Sequence, residues 1–224
     1  MLMKTEALSV RAHNVAAIHL VAHAMVLAGL LGMCSSSRAD FAVSVGSQGL
    51  AIAFSINDVS QGWRFNVDVP IQITHLGLLD GDNDGFATEH PIGVWDAGGT
   101  LLALATVEKG TVNPLINRFR YASIETEGPV ILSPGQDYTI GYFLPGDAIE
   151  DTFVIWNGTY SMNPIINQVG AAFHTFSSNL QMPMQPDSLG AQCFGPGFQF
   201  IVVPAPSALV LLTMIGLRST RRRG

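Results

Sequence analysis

The sequence predicts an all-β fold: an antiparallel β-sandwich of jelly-roll or Ig-like type, flanked by an N-terminal signal helix and a short C-terminal apolar helix. Three observations carry this. Apolar and polar residues alternate through the middle of the chain, the period of a strand buried on one face. Glycine and proline number 23 and 12 among 224 residues and supply the turns between those runs. No apolar heptad or amphipathic helical stripe interrupts the series between residues 40 and 202.

The elements follow in order. Lys4 and Arg11 precede an apolar stretch from Val15 to Met33, followed by Ser35, Ser36, Ser37, Arg38 and Ala39. That is a charged region, an apolar region and a small-residue cleavage site. Ser37 and Ala39 take the −3 and −1 places, so residues 1–39 read as a signal peptide cut between Ala39 and Asp40. A retained membrane anchor is the rival reading, and the cleavage site speaks against it. Lipidation at Cys34 is disfavoured by Met33 before it.

Residues 40–202 are the sandwich domain. Trp63, Phe65, Val67, Val69, Ile71 and Ile73 share one parity, with Arg64, Asn66, Asp68, Gln72 and Thr74 between them. Pro70 marks an edge or bend within this run. After His75 the apolar face passes to Leu76 and Leu78, the signature of a β-bulge. Ile92–Trp95 and Leu101–Ala105 flank Asp96-Ala97-Gly98-Gly99, a hairpin turn. Phe119, Tyr121 and Ile124, then Val130–Leu132, then Tyr138, Ile140 and Tyr142, and finally Phe153–Trp156 are further strands. Asn163 to Leu189, rich in Asn, Gln, Ser, Met and Pro, reads as a long loop.

Charge narrows the function classes. From Asp40 to Val203 four basic residues (Arg64, Lys109, Arg118, Arg120) face sixteen acidic ones. Such a surface repels phosphate backbones and excludes nucleic acid as a partner, while suiting divalent cations. Cys34 lies in the leader and Cys193 stands alone, so the mature chain has no internal disulfide framework. The tail, residues 203–224, opens with Val203-Pro204-Ala205-Pro206. Proline there stops the preceding strand, a short apolar helix over Ser207–Leu217 follows, and Arg218 with Arg221, Arg222 and Arg223 closes it. At about 20 apolar residues per bilayer span, this run is short for a permanent anchor and suits a transient one.

The Val-Pro-x-Pro stretch, apolar helix and arginine cluster together resemble the PEP-CTERM sorting signal of exported bacterial proteins, with Ala205 where that signal usually has Glu. The resemblance implies an exosortase-like membrane processing enzyme as a partner, transient contact with the cytoplasmic membrane, and a surface or extracellular destination. The middle of the chain resembles the DUF4082-like sandwiches found on such proteins. The resembling pieces are Gly62-Trp63-x-Phe65, Leu76-Gly77-x-x-Asp80, Asp84-Gly85-Phe86, His90-x-x-Gly93-x-Trp95-Asp96 and Phe194-Gly195-Pro196-x-Phe198. That resemblance implies a fold and an extracellular setting, with no chemistry attached.

The sharpest constellation is Asp80-Gly81-Asp82-Asn83-Asp84-Gly85. Carboxylates at alternate positions followed by glycine are the opening of a calcium loop, because Ca²⁺ wants several oxygens around a tight turn. An EF-hand would need Glu at its twelfth position, where Pro91 stands, so Asp80, Asp82 and Asp84 with Glu89 are the candidate ligands and calcium the candidate cofactor. The competing reading is a solvated acidic turn. His75, His90 and His174 lack the close spacing of a zinc pair, and His90 reads as a brace for the acidic loop.

No nucleophile elbow, zincin helix, phosphate loop or dinucleotide glycine run is present. Glu125 with Glu127, or Asp147 with Glu150 and Asp151, could serve a hydrolase only across a defined cleft. Trp63 and Trp95 fall on apolar faces and Trp156 at a strand end. The expectation is therefore a non-enzymatic, exported surface or extracellular-matrix protein, calcium-stabilised and in contact with exopolysaccharide. The alternatives are an extracellular carbohydrate-binding module, with an aromatic row near Trp156 or Tyr160, and a secreted hydrolase.

Overall fold

The computed structural model describes residues 38–47, 50–51, 58–146, 155–156, 159–186 and 195–204. The flanking signal helix, the cleavage site upstream of Arg38, the apolar tail helix, the Arg221–Arg223 cluster, Cys193, Phe194 and the carboxylates Asp147, Glu150 and Asp151 lie outside the described residues. Among the described residues, sixteen strands follow one another: β1 (Asp40–Phe41), β2 (Val43–Ser47), β3 (Leu50–Ala51), β4 (Val59–Val67), β5 (Ile71–Leu79), β6 (His90–Asp96), β7 (Leu101–Val107) and β8 (Leu115–Ile116). The second half continues with β9 (Phe119–Ser123), β10 (Val130–Leu132), β11 (Tyr138–Leu144), β12 (Ile155–Trp156), β13 (Thr159–Met162), β14 (Ile166–Phe176), β15 (Gln185–Pro186) and β16 (Pro196–Val202).

They build two six-stranded sheets, every pairing antiparallel. The first runs β1-β16-β5-β9-β8 with β10 also on β5, and the second runs β15-β14-β4-β11-β6-β7. Two short ribbons, β12-β3 and β13-β2, complete the pairing among the described residues. No helix among these residues is long and apolar enough to cross a membrane.

Alternation explains why the sheets face each other. In β4 the buried Val59, Trp63, Phe65 and Val67 share one parity, and β11 sets Ile140 opposite Trp63 and Tyr138 opposite Phe65. From the other sheet Phe198 reaches this face, 5.0 Å from the Phe65 ring and 6.3 Å from Trp63, stacked at 16°. Trp63 also spans the layers by donating Nε1–H to the Pro196 carbonyl at 2.8 Å. The core is thus an aromatic plug of the kind that fills sandwich interiors. Tyr138 closes the turn before its own strand: its hydroxyl accepts from Ser133 N–H at 2.8 Å and donates to Ser133 O at 3.1 Å, an arrangement similar to the tyrosine corner of Greek-key sandwiches.

Pro70 marks the place where the chain leaves one sheet for the other, between β4 and β5. The bulge expected after His75 is present one residue earlier: Ile73 pairs with Phe200 and His75 with Gln199, leaving Thr74 as the extra residue. The hairpin around Asp96–Gly99 joins β6 to β7. Its turn is held by Asp96, whose Oδ1 accepts from Gly98 N–H at 2.9 Å and Thr100 N–H at 2.8 Å.

One expectation is corrected. The stretch from Asn163 to Leu189 is not one long loop, because β14 runs through it for 11 residues and pairs along the whole of β4. Val169 and Phe173 fall on the outward parity, opposite Arg64 and Gly62, Gln168 and His174 fall on the inward one, opposite Phe65 and Gln61, and a register shift between Val169 and Ala172 breaks the alternation, so the strand's period is hidden in the sequence. Trp95 is buried as expected, but on the outer face of its sheet, where its ring occupies the space beside Gly93.

Candidate functional site

At one end of the sandwich the chain leaves β5 still in strand parity: Leu76, Leu78 and then Asp80 point between the sheets. Asp80 is 1% exposed, a costly place for a carboxylate unless it is paired. The partner comes from β9, where Arg120 sits opposite Leu78 in register. Its Nε–H donates to Asp80 Oδ2 at 2.6 Å, with the two side chains 4% and 1% exposed. The remaining guanidinium groups donate to the carbonyls of Asn113 at 3.0 Å and Asn83 at 3.4 Å.

The same carboxylate shapes the loop. Oδ1 accepts from Asn83 N–H at 2.9 Å and Oδ2 from Gly85 N–H at 3.1 Å. Asn83 and Gly85 take positive φ, 68° and 105°, conformations open to Asn and Gly at low cost. A Cβ at Gly85 would meet Gly110 backbone at 2.6 Å, because Phe86 and Gly110 form a backbone bridge there. Glycine is therefore required by contact as well as by φ.

Asp82 and Asp84 are exposed, and carboxylate oxygens of Asp80, Asp82 and Asp84 all lie within 4.8 Å of one another. Glu89, the fourth expected ligand, is exposed and stands outside that trio. Burial pushes the Asp80 carboxyl above the ordinary Asp value, against the opposing pull of Arg120. Asp84 is also raised, chiefly through its hydrogen bond to Asp82 and then that group's negative charge. Three carboxylates against one guanidinium leave two net negative charges, which a divalent cation would neutralise. Asp82 and Asp84, both exposed, offer oxygens to such an ion, and a carboxylate oxygen of Asp80 is the third.

His90 is fully buried. Its Nδ1 lies 3.1 Å from Phe143 O and its Nε2 3.4 Å from Thr88 Oγ1, while its ring meets Phe86 edge-on. It ties the segment leaving the acidic loop to β11. His75 and His174 sit on β5 and β14, in different sheets. Glu125 and Glu127 are exposed in the turn after β9. Tyr160 is half-buried on β13; the Trp156 side chain lies outside the described residues.

Arg120 is the functional residue that sequence reasoning missed. It lies between Phe119 and Tyr121, whose apolar character marks the expected inner face. The structure reverses that assignment: Arg120 and Ala122 face inward with Leu78 and Leu76, and the Tyr121 ring lies over Gly77 on the outer face. The available signal was that Arg120 is one of only four cations in an acidic domain.

Fold and loop together define an antiparallel two-sheet β-sandwich with an ion-paired acidic loop at one end. The chain belongs to the family described as Domain of unknown function (DUF4082), whose profile matches residues 51–191. That range carries β4 to β15 and the whole acidic loop, while β16, which lies between β1 and β5 in the first sheet, lies beyond it. No curated protein matches the chain.

Proposed function

We propose that this is an exported, non-enzymatic surface or extracellular-matrix protein, routed by a PEP-CTERM-type signal and stiffened by calcium at Asp82, Asp84 and Asp80. The observation that supports the routing is in the sequence: a charged and then apolar run ending in Ser37-Arg38-Ala39 precedes Asp40, and Val203-Pro204-Ala205-Pro206 with the Arg221–Arg223 cluster follows Val202, Asp40 and Val202 being the first and last strand residues among those described. Supporting the non-enzymatic reading, the buried carboxylate among the described residues is Asp80, and it is committed to Arg120. The calcium reading is supported by the convergence of three carboxylates and by the net charge of minus two that they and Arg120 leave together.

Thermal unfolding with calcium and with chelator tests the loop. A ligand that binds only the folded state at about 100 times its Kd adds roughly 2.7 kcal/mol, about 5–10 °C in a domain of this size. The rise is expected in the parent and absent in an Asp82→Ala, Asp84→Ala double variant. Equal melting in both buffers would remove calcium and leave the acidic turn. Routing is tested separately by cell fractionation after Arg221, Arg222 and Arg223 are replaced by Ala: unchanged surface display would refute the sorting role of the tail.

A further inference from the structure

The outer face of the β15-β14-β4-β11-β6-β7 sheet carries a polar row that the acidic loop does not account for. Asn167 on β14 pairs with Asn66 on β4, and Asp137 immediately precedes Tyr138, which pairs with Phe65. β14, β4 and the residue leading into β11 thus place these side chains abreast. Asn167 Nδ2–H donates to Asn66 Oδ1 at 3.1 Å and to Asp68 Oδ1 at 2.8 Å, and Asn66 Nδ2–H donates to Asp137 Oδ1 at 3.4 Å. One outward position along β4, the Arg64 guanidinium carbon lies 4.0 Å from the centroid of the Phe173 ring, and Arg64 Nε has no hydrogen-bond partner. Asp68, Asp137 and Asn167 are exposed; Arg64, Asn66 and Phe173 are half-buried.

Hydrogen bonds among exposed amides and carboxylates replace bonds to water and add little stability, and holding such side chains in one arrangement costs rotamer entropy. What a pre-ordered row does reduce is the ordering cost of binding a ligand. Its chemistry is specific: amide and carboxylate acceptors beside amide and guanidinium donors, repeated at the strand spacing of about 4.8 Å, a length comparable to one sugar ring. Hydroxyls, which both donate and accept, match that alternation. Asp68 and Asp137 against the single Arg64 leave the face net negative, so an acidic polymer is repelled.

We propose that this face binds a neutral polysaccharide, with Asn66, Asp137 and Asn167 as the hydrogen-bonding row and the Arg64–Phe173 pair as the contact for a ring face. The inference rests on the proposed matrix role for its setting and is independent of the calcium loop. The test is affinity electrophoresis of the purified protein in native gels cast with a galactomannan, a neutral β-glucan or a polyuronate, all with chelator present. Retardation is expected in at least one neutral gel and not in the polyuronate. It is expected to disappear in an Asn66→Ala, Asp137→Ala variant and in an Asn167→Ala variant, both melting within a few degrees of the parent because the residues are on the surface. It should persist in the Asp82→Ala, Asp84→Ala variant, which separates this proposal from the calcium reading. A parent that migrates freely in both neutral gels, retardation confined to the polyuronate, or retardation that survives the row variants overturns it.

Discussion

Replacing Arg120 by Met is the most informative single perturbation of the acidic loop. Methionine keeps much of the buried stem and removes the charge, leaving Asp80, 1% exposed, without the donor that now sits 2.6 Å from its Oδ2. Breaking one side of a buried pair costs about 3–5 kcal/mol, because the surviving charge stays in a medium that solvates it poorly. The Asn83 and Asn113 carbonyls also lose their donors. With a urea m-value of roughly 2 kcal/mol/M, the midpoint should fall by about 1.5–2.5 M at pH 7. The penalty should depend on pH in one direction. Asp80 already titrates above the ordinary Asp value when folded, and losing Arg120 raises it further. A group raised in the folded state contributes stability at low pH that is lost as pH climbs through its folded value. The deficit of the variant should therefore shrink as pH falls toward about 4, the ordinary Asp range. Urea titrations of both proteins across that range measure it. A variant within about 1 kcal/mol of the parent at pH 7, or a deficit that does not diminish in acid, would refute the reading of Asp80–Arg120 as a buried ion pair that organises the loop.

Two further outcomes follow from the core and the hairpin. Trp63→Ala removes a fully buried ring, its stack on Phe198 and its hydrogen bond to Pro196 O; a loss of about 3–5 kcal/mol is expected by denaturant unfolding, and a loss under 1 kcal/mol would mean that the sheets do not meet there. Asp96 is held below the ordinary Asp value, first by the Thr100 N–H and also by those of Gly98 and Gly99. Its contribution is present above the unfolded value of about 3.9 and lost as pH falls through its lower folded value. Asp96→Ala should thus be less stable than the parent at pH 7 and converge with it in strong acid, as followed by melting temperature.

Much of the fold was legible. Alternation placed Trp63, Phe65, Val67, Ile71 and Ile73 on buried faces, the Asp96–Gly99 turn announced its hairpin, and the parity change near His75 announced a bulge, because each depends on neighbours a few residues away. The Asp80–Gly85 turn was visible for the same reason: acidic residues and glycines at that spacing encode a tight reversal locally.

The rest depended on contacts between distant segments. β14 mixes polar and apolar residues on both of its faces, so only its pairing with β4 reveals it as a strand. Arg120 became the partner of Asp80 through the register of β9 on β5, forty residues apart, and register decided that it faces inward while Phe119 and Tyr121 do not. The row from Asn167 through Asn66 to Asp137 exists for the same reason. Local pattern determines which residues alternate and where the chain turns; only strand order and register decide which alternating faces meet, because a one-residue slip sends every side chain of a strand to the opposite face.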